Sequence, residues 1–180
     1  MAVGLGGEQL WLSPTVANNV NPFDDQSGNG NNGTGQGGIS TVSDSASGGS
    51  YAYSFDQTND YINCGIIGQQ PADMTVSVWV NVLSFSNGNR GIVNTFDNGG
   101  SSNEWGLWGT SSTSVQFRAY SNSASAGSTL TPNTWHHFTG VRDTAAGFVK
   151  IYDDGLLVAQ TPITTTAPVS TVKNFVVGRY

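Results

Sequence analysis

The sequence predicts an all-β protein, a two-sheet antiparallel β-sandwich. Three observations carry that prediction. Short apolar runs recur along the chain at the roughly 8–12-residue spacing of sandwich strands. Two of them, Phe148-Val149-Lys150-Ile151-Tyr152 and Leu156-Leu157-Val158-Ala159, are joined by Asp153-Asp154-Gly155. An Asp-Gly pair between apolar runs marks a tight hairpin, because the turn needs positive φ and glycine supplies it without a Cβ clash. No stretch sustains a 3.6-residue period. Only 10% of the residues are charged and 24 are glycine, a composition suited to strands and turns rather than long helices.

Taken in order, the first element is Gln9-Leu10-Trp11-Leu12, stopped by Ser13-Pro14; proline cannot donate to a ladder, so a strand end or edge is implied. Residues 15–50 read mostly as loop: 24–33 is turn chemistry throughout, and 43–50 is rich in Gly and Ser. The main strands begin at Tyr51, where Tyr51, Tyr53 and Phe55 alternate with small residues. Tyr61-Ile62-Asn63-Cys64 follows a turn at 56–60. Met74–Val82 puts Val76, Val78, Val80 and Val82 on one face and Trp79 on the other. Further strands are read at 91–96, 104–108, 115–120, 134–141 and 174–178. No internal repeat is found, and 180 residues fit one domain: an N-terminal strand and loops over 1–50, and the main strands over 51–180.

Four segments, in order, resemble the laminin G-like branch of the concanavalin A-like lectin/glucanase superfamily. Asp25-Gln26-Ser27-Gly28-Asn29-Gly30-Asn31-Asn32-Gly33 is similar to its D-x-S-G-N-x-N-x-G loop. Tyr53-Ser54-Phe55-Asp56 with Asn59-Asp60-Tyr61-Ile62 is similar to its F-D-G-x-D-D-Y hairpin. Met74-Thr75-Val76-Ser77-Val78-Trp79-Val80 is similar to F-T-I-S-x-W-V. Trp135-His136-His137-Phe138, with Lys150-Ile151-Tyr152-Asp153-Asp154-Gly155, is similar to W-H-H-V and V-K-L-Y-V-D-G. The resemblance implies a jelly roll of two antiparallel sheets. It also implies a closing C-terminal strand beside the first one, and here Gly178-Arg179-Tyr180 stands where that strand would begin. The expectation is a jelly roll lacking this strand, with an open sheet edge near Leu10–Leu12 that a second copy or another structural protein fills. A rearranged N-terminal segment is the alternative.

Composition narrows the partners. The formal net charge is −6, with two Lys and four Arg, so no basic patch for nucleic acid is expected. No apolar run is long enough to insert in a membrane. Cys64 is the only cysteine, so no intrachain disulfide forms. Met1-Ala2-Val3-Gly4-Leu5 lacks the charged and apolar regions of a signal peptide.

The chemistry-bearing residues each have a plainer role as an alternative. Retaining glycosidases need two carboxyls about 5–5.5 Å apart. The resemblance points to an E-x-D-x-x-E run for them, and neither Glu8 nor Glu104 sits in one, so a non-catalytic protein is expected. For calcium, Asp24, Asp25 and Asn29 offer hard oxygen ligands, with Asp56 and Asp60 as a second set; Asx turns are the favoured reading of both. For glycans, Trp105, Trp108 and Tyr120 with Asn103 and Glu104 are the best aromatic and polar cluster, against the reading that the tryptophans are core. Trp11, Trp79 and Trp135 are read as core, His137 as a hydrogen-bonded structural residue, and Arg118 and Arg142 as solvated or paired with aspartates. The functional expectation is a surface-exposed structural or binding module at a virion surface, as a phage capsid decoration or fibre protein with glycan binding. The alternatives are a secreted or cell-surface carbohydrate-binding or adhesion module and, disfavoured, a glycoside hydrolase-like enzyme.

Overall fold

The computed structural model describes residues 10, 12–14, 23–43, 51–67, 71–83, 85, 90–96, 104–111, 113–120, 122–125, 130–165 and 173–179. They form thirteen strands: β1 (Thr34–Gln36), β2 (Ser40–Ser43), β3 (Tyr51–Ser54), β4 (Tyr61–Asn63), β5 (Met74–Asn81), β6 (Arg90–Phe96), β7 (Trp105–Ser111), β8 (Ser114–Ala119), β9 (Asn122–Ser125), β10 (Trp135–Asp143), β11 (Phe148–Asp153), β12 (Leu156–Pro162) and β13 (Asn174–Arg179). A seven-stranded sheet runs β1-β4-β13-β6-β7-β8-β9, and a four-stranded sheet runs β12-β11-β10-β5. Every pairing between these strands is antiparallel. The hairpin β2–β3 forms its own two-stranded sheet.

Strict alternation makes the layers. In β10 residues 136, 138, 140 and 142 are buried and their neighbours are not, because successive side chains of a strand point to opposite faces. Phe138 therefore meets the core together with Phe117, Leu107, Val115, Val149 and Ile151, all fully buried. The two sheets come so close at one crossing that a Cβ on Gly140 would overlap the Phe117 ring. Tyr53 and Phe55, at the β3 end of the small hairpin, pack against the same core. Asp154 and Gly155 both have positive φ (49° and 82°), as the tight β11–β12 turn requires.

One expectation is corrected. The segment 15–50, read mostly as loop, contributes β1 and β2. Thr34-Gly35-Gln36 has no apolar alternation to betray it, and Gly35 is there because the Phe23 ring occupies the space a side chain would take. The apolar run at the N-terminus does not form a sheet strand among the described residues. Leu12 makes an isolated bridge to Asp25, and both Leu10 and Leu12 pack onto the core. Trp11 lies outside the described residues. The edges of the two large sheets among the described residues are β1, β9, β12 and β5; the expected edge near Leu10–Leu12 includes Gln9 and Trp11 and so lies partly outside the described residues.

Candidate glycan-binding face

The alternation that fills the core also sets what faces out. On the outer face of the four-stranded sheet, β5 presents Thr75, Ser77, Trp79 and Asn81, and β10 presents Trp135, His137, Thr139 and Val141. β11 adds Tyr152 opposite Thr139 and Lys150 opposite Val141. Trp79 and His137 face each other across the strands and stack with ring centroids 5.0 Å apart. His137 Nε2 lies 2.7 Å from Ser77 Oγ, and Ser77 Oγ lies 3.3 Å from Thr139 Oγ1. Trp79, His137, Thr139, Tyr152 and Trp135 are all partly exposed. Burial lowers the His137 pKa from its ordinary value, because a desolvated imidazolium is disfavoured. The ring is therefore neutral at pH 7. The result is a line of hydroxyls and an imidazole with aromatic rings on both sides.

The expectation that Trp79 and Trp135 are core is corrected: both lie on the outer face. The signal was present in the parity of Val76, Val78 and Val80. These three pair with Gly140, Phe138 and His136 on the buried side, so Trp79 points the other way. The expectation that His137 is hydrogen-bonded agrees with the Ser77 contact.

The cluster expected to bind glycan is not brought together. Trp105 (8% exposed) packs against Phe175 at a centroid distance of 5.3 Å inside the core. Tyr120 (5% exposed) donates its hydroxyl to Pro71 O and lies under the Arg142 guanidinium. Its pKa is pushed up to about 12 by burial. Trp108 is 4% exposed and pairs with Gln116 on the opposite face of the seven-stranded sheet from Leu107 and Phe117, beneath Arg118. Three positions separate Trp105 from Trp108, an odd number, and a strand sends such residues to opposite faces. The Glu104 carbonyl accepts the Tyr120 N–H, and Asn103 lies outside the described residues.

The candidate calcium ligands cap turns. Asp25 accepts the Ser27 N–H on Oδ1 and the Asn31 N–H on Oδ2, at 2.9 and 3.0 Å. Asn29 bonds Ser27 Oγ, and Asp24 is exposed. Asp56 Oδ1 accepts from Thr58 and Asn59. Asp60, 2% exposed, accepts from Gly38 on one oxygen and Asp56 on the other. Asp25 and Asp56 thus form Asx turns, while Asp60 is a buried clamp joining the turn at 56–60 to Gly38, and these bonds give the calcium expectation no support.

One group does gather metal-type ligands: His136, Asp153 and Asp154, whose ligand atoms lie within 4.8 Å of one another. Its chemistry points elsewhere. His136 Nε2 accepts the Thr131 N–H at 3.0 Å, so the ring proton sits on Nδ1 and is donated to Asp153 Oδ1 at 3.0 Å. A metal at Nδ1 would have to displace that proton while Nε2 keeps a donor aimed at it. The pair is a buried strut tying the β11 end to β10. Asp154 completes it from outside, with its N–H on His137 O and its Oδ1 on the His137 N–H.

Arg142 is also corrected. It is buried, not solvated, and donates Nη1 to Ala72 O and Nη2 to Thr165 O. It thereby ties the segments before β5 and after β12 to the sheet.

Comparison with known proteins agrees with this architecture. The binding domain of Paraclostridial Mosquitocidal Protein 1 superposes with a TM-score of 0.65 at 18% identity, over 87% of this chain and 41% of that one. Domain 4 of AbnA, a GH43 extracellular arabinanase from Geobacillus stearothermophilus solved with arabinotriose, superposes at 0.63 with 16% identity, over 88% of this chain and 79% of that one. The receptor-binding domain of a botulinum neurotoxin C/D mosaic serotype gives 0.61 and 18%, over 87% and 40%. At these identities the likeness is one of fold, and the chain spans about two fifths of the toxin domains. No curated protein sequence matches. A laminin G-type family model, described as the concanavalin A-like lectin/glucanases superfamily, matches residues 56–180. The chain belongs to the concanavalin A-like lectin/glucanase superfamily, in its laminin G-like branch.

Proposed function

We propose that the protein is a non-catalytic glycan-binding module and that the outer face of the four-stranded sheet is its binding face. One observation carries this reading: Trp79 stacked on His137, with the Ser77 and Thr139 hydroxyls beside them and Tyr152 across from Thr139. A pyranose or furanose ring offers an apolar C–H face and a belt of hydroxyls. Partly exposed indole and phenol rings match the first, and neutral donors and acceptors between them match the second. A shared fold with an arabinanase domain solved with arabinotriose is in keeping with the reading.

The absence of catalysis in this proposal rests on how the carboxylates are used. Asp60 and Asp153 are committed to internal hydrogen bonds, and Asp25 and Asp56 to turns. The setting we propose is a virion surface, where a low-charge polar exterior serves a decoration or fibre protein; a secreted adhesion module uses the same face. Any assembly with other copies or with capsid proteins would use an edge strand, of which β12 leaves Leu156, Leu157 and Val158 exposed.

The test is a glycan array followed by calorimetry on the intact chain. Binding that Trp79→Ala weakens at least tenfold, with unchanged circular dichroism, supports the reading. Full binding by that variant places the glycan elsewhere. Copurification with particles tests the virion setting separately.

A further inference from the structure

The proposed binding face carries carboxylates at both ends. At one end Asp154, its side chain 54% exposed, sits in the β11–β12 turn and accepts the His137 N–H. At the other end Asp143 closes β10 on the same face, and exposed Asp73 precedes β5 and accepts both the N–H and the hydroxyl of Thr144. Hydrogen bonds from Thr144 to Asp73, and from Ala146 and Lys150 to Asp143, hold both carboxyls below their ordinary pKa. They stay ionised throughout the neutral range. Among the described residues, the cation on this face is Lys150, and its Nζ is paired with Asp143 at 3.0 Å. The pair largely cancels the charge of both groups, which leaves Asp154 at one end and Asp73, beside Asp143, at the other as the carboxylates that set the sign of the face. His137 lies at the Asp154 end of the face and is mostly neutral at pH 7 for the reason given above.

From these charges we infer that the face selects neutral glycans and discriminates against sialylated, uronate-bearing and sulfated ones. The inference rests on the glycan-binding reading of the same face and names its ligand class. His137 and Asp143 are six residues apart on β10, a separation of about 20 Å at the rise of an extended strand. An anionic group bound anywhere between them lies within about 10 Å of one end. That is comparable with the Debye length of about 8 Å at physiological salt, so repulsion is felt along the whole face and is strongest beside Asp154. Two unlike roles are thus separated: the rings and hydroxyls bind, and the rim carboxylates choose.

The experiment measures affinity for neutral oligosaccharides and for their sialylated and glucuronate-bearing counterparts, at 20 mM and 500 mM NaCl, with the wild-type chain and with Asp154→Asn. Asparagine keeps the oxygen that accepts the His137 N–H and tolerates the positive φ at this position. The inference expects neutral ligands to be preferred several-fold at low salt, with the preference shrinking at high salt. Asp154→Asn should reduce the neutral-to-anionic ratio two- to fivefold. Equal or tighter binding of the anionic partners by the wild-type chain would overturn the inference and leave the glycan reading standing. An unchanged ratio in Asp154→Asn would overturn the role of Asp154. Binding of neither class by the wild-type chain would overturn the glycan reading itself and the inference with it.

Discussion

His136 and His137 are neighbours in one strand and live in different worlds. His136 points inward, 7% exposed, with one ring nitrogen on a backbone N–H and the other on Asp153. His137 points outward, with Ser77 at its Nε2, Trp79 on its ring face and part of its surface open. The whole strand divides in the same way. Phe138 and Arg142 on the inner side are locked by packing and by hydrogen bonds to elements distant in sequence. Thr139 and Val141 on the outer side touch neighbours in the same sheet and leave room for something else. The inner side of β10 specifies the fold, and the outer side is free to specify a ligand.

The largest effect that would break this division belongs to the inner side. Trp105→Ala should cost roughly 3–5 kcal/mol, as expected for emptying a buried indole site. Arg142→Met should cost about 3 kcal/mol, because the Ala72 and Thr165 carbonyls lose their charged donor. Both are read from urea unfolding midpoints, and a loss under 1 kcal/mol at either position would contradict the assigned role. Asp153→Ala comes next, at about 1–3 kcal/mol, since it leaves the buried His136 Nδ1–H without its acceptor. If His136 were instead a metal ligand, Asp153→Ala would lower stability mainly in the presence of added zinc, and a zinc-independent loss distinguishes the two.

On the outer side the stability effects should be small and the binding effects large. Tyr152→Ala should change stability by about 1 kcal/mol or less, in line with a partly exposed position, while weakening the glycan complex severalfold by titration calorimetry. The smallest effect is that of pH. The imidazolium of His137 is disfavoured by burial, although Asp154 opposes this in part. Its folded pKa lies below the unfolded value of about 6.5, so the native state binds this proton less readily than the unfolded state. The contribution to stability is complete above about pH 6.5 and is lost as the pH falls below it. Glycan affinity should follow the same direction, flat from pH 7 to 8 and weaker in acid. A His137→Gln variant should flatten that slope.

How much of this was legible in the sequence depends on which physical signal each part leaves. The inner faces of β5, β8 and β11 are written largely as alternating apolar residues, and the Asp154-Gly155 turn is written as turn chemistry, so the sandwich could be read. The Asx turns around Asp25 and Asp56 were legible too, since Asp-Gln-Ser-Gly and Asp-Gln-Thr-Asn are local patterns. β1 and β2 were not, because Thr34-Gly35-Gln36 becomes a strand only by pairing with β4, a long-range event that leaves no periodicity. Arg142 was missed for a related reason: a buried guanidinium held at Nη1 and Nη2 by two backbone carbonyls, with Nε buried and unbonded, has no sequence partner to announce it. The binding face was half legible. Parity put Trp79 opposite the valines, but the prior that a strand tryptophan is core prevailed over parity, and the attractive local grouping of Trp105 and Trp108 drew attention to two residues that the pleat sends apart.

The most direct test of the account is titration calorimetry of a neutral oligosaccharide, taken from the array hits, against the wild-type chain, Trp79→Ala and Trp108→Phe. The account predicts that Trp79→Ala loses at least tenfold in affinity with its fold intact, while Trp108→Phe, altering a residue 4% exposed on the other sheet, binds as the wild type does. The reverse pattern would contradict it.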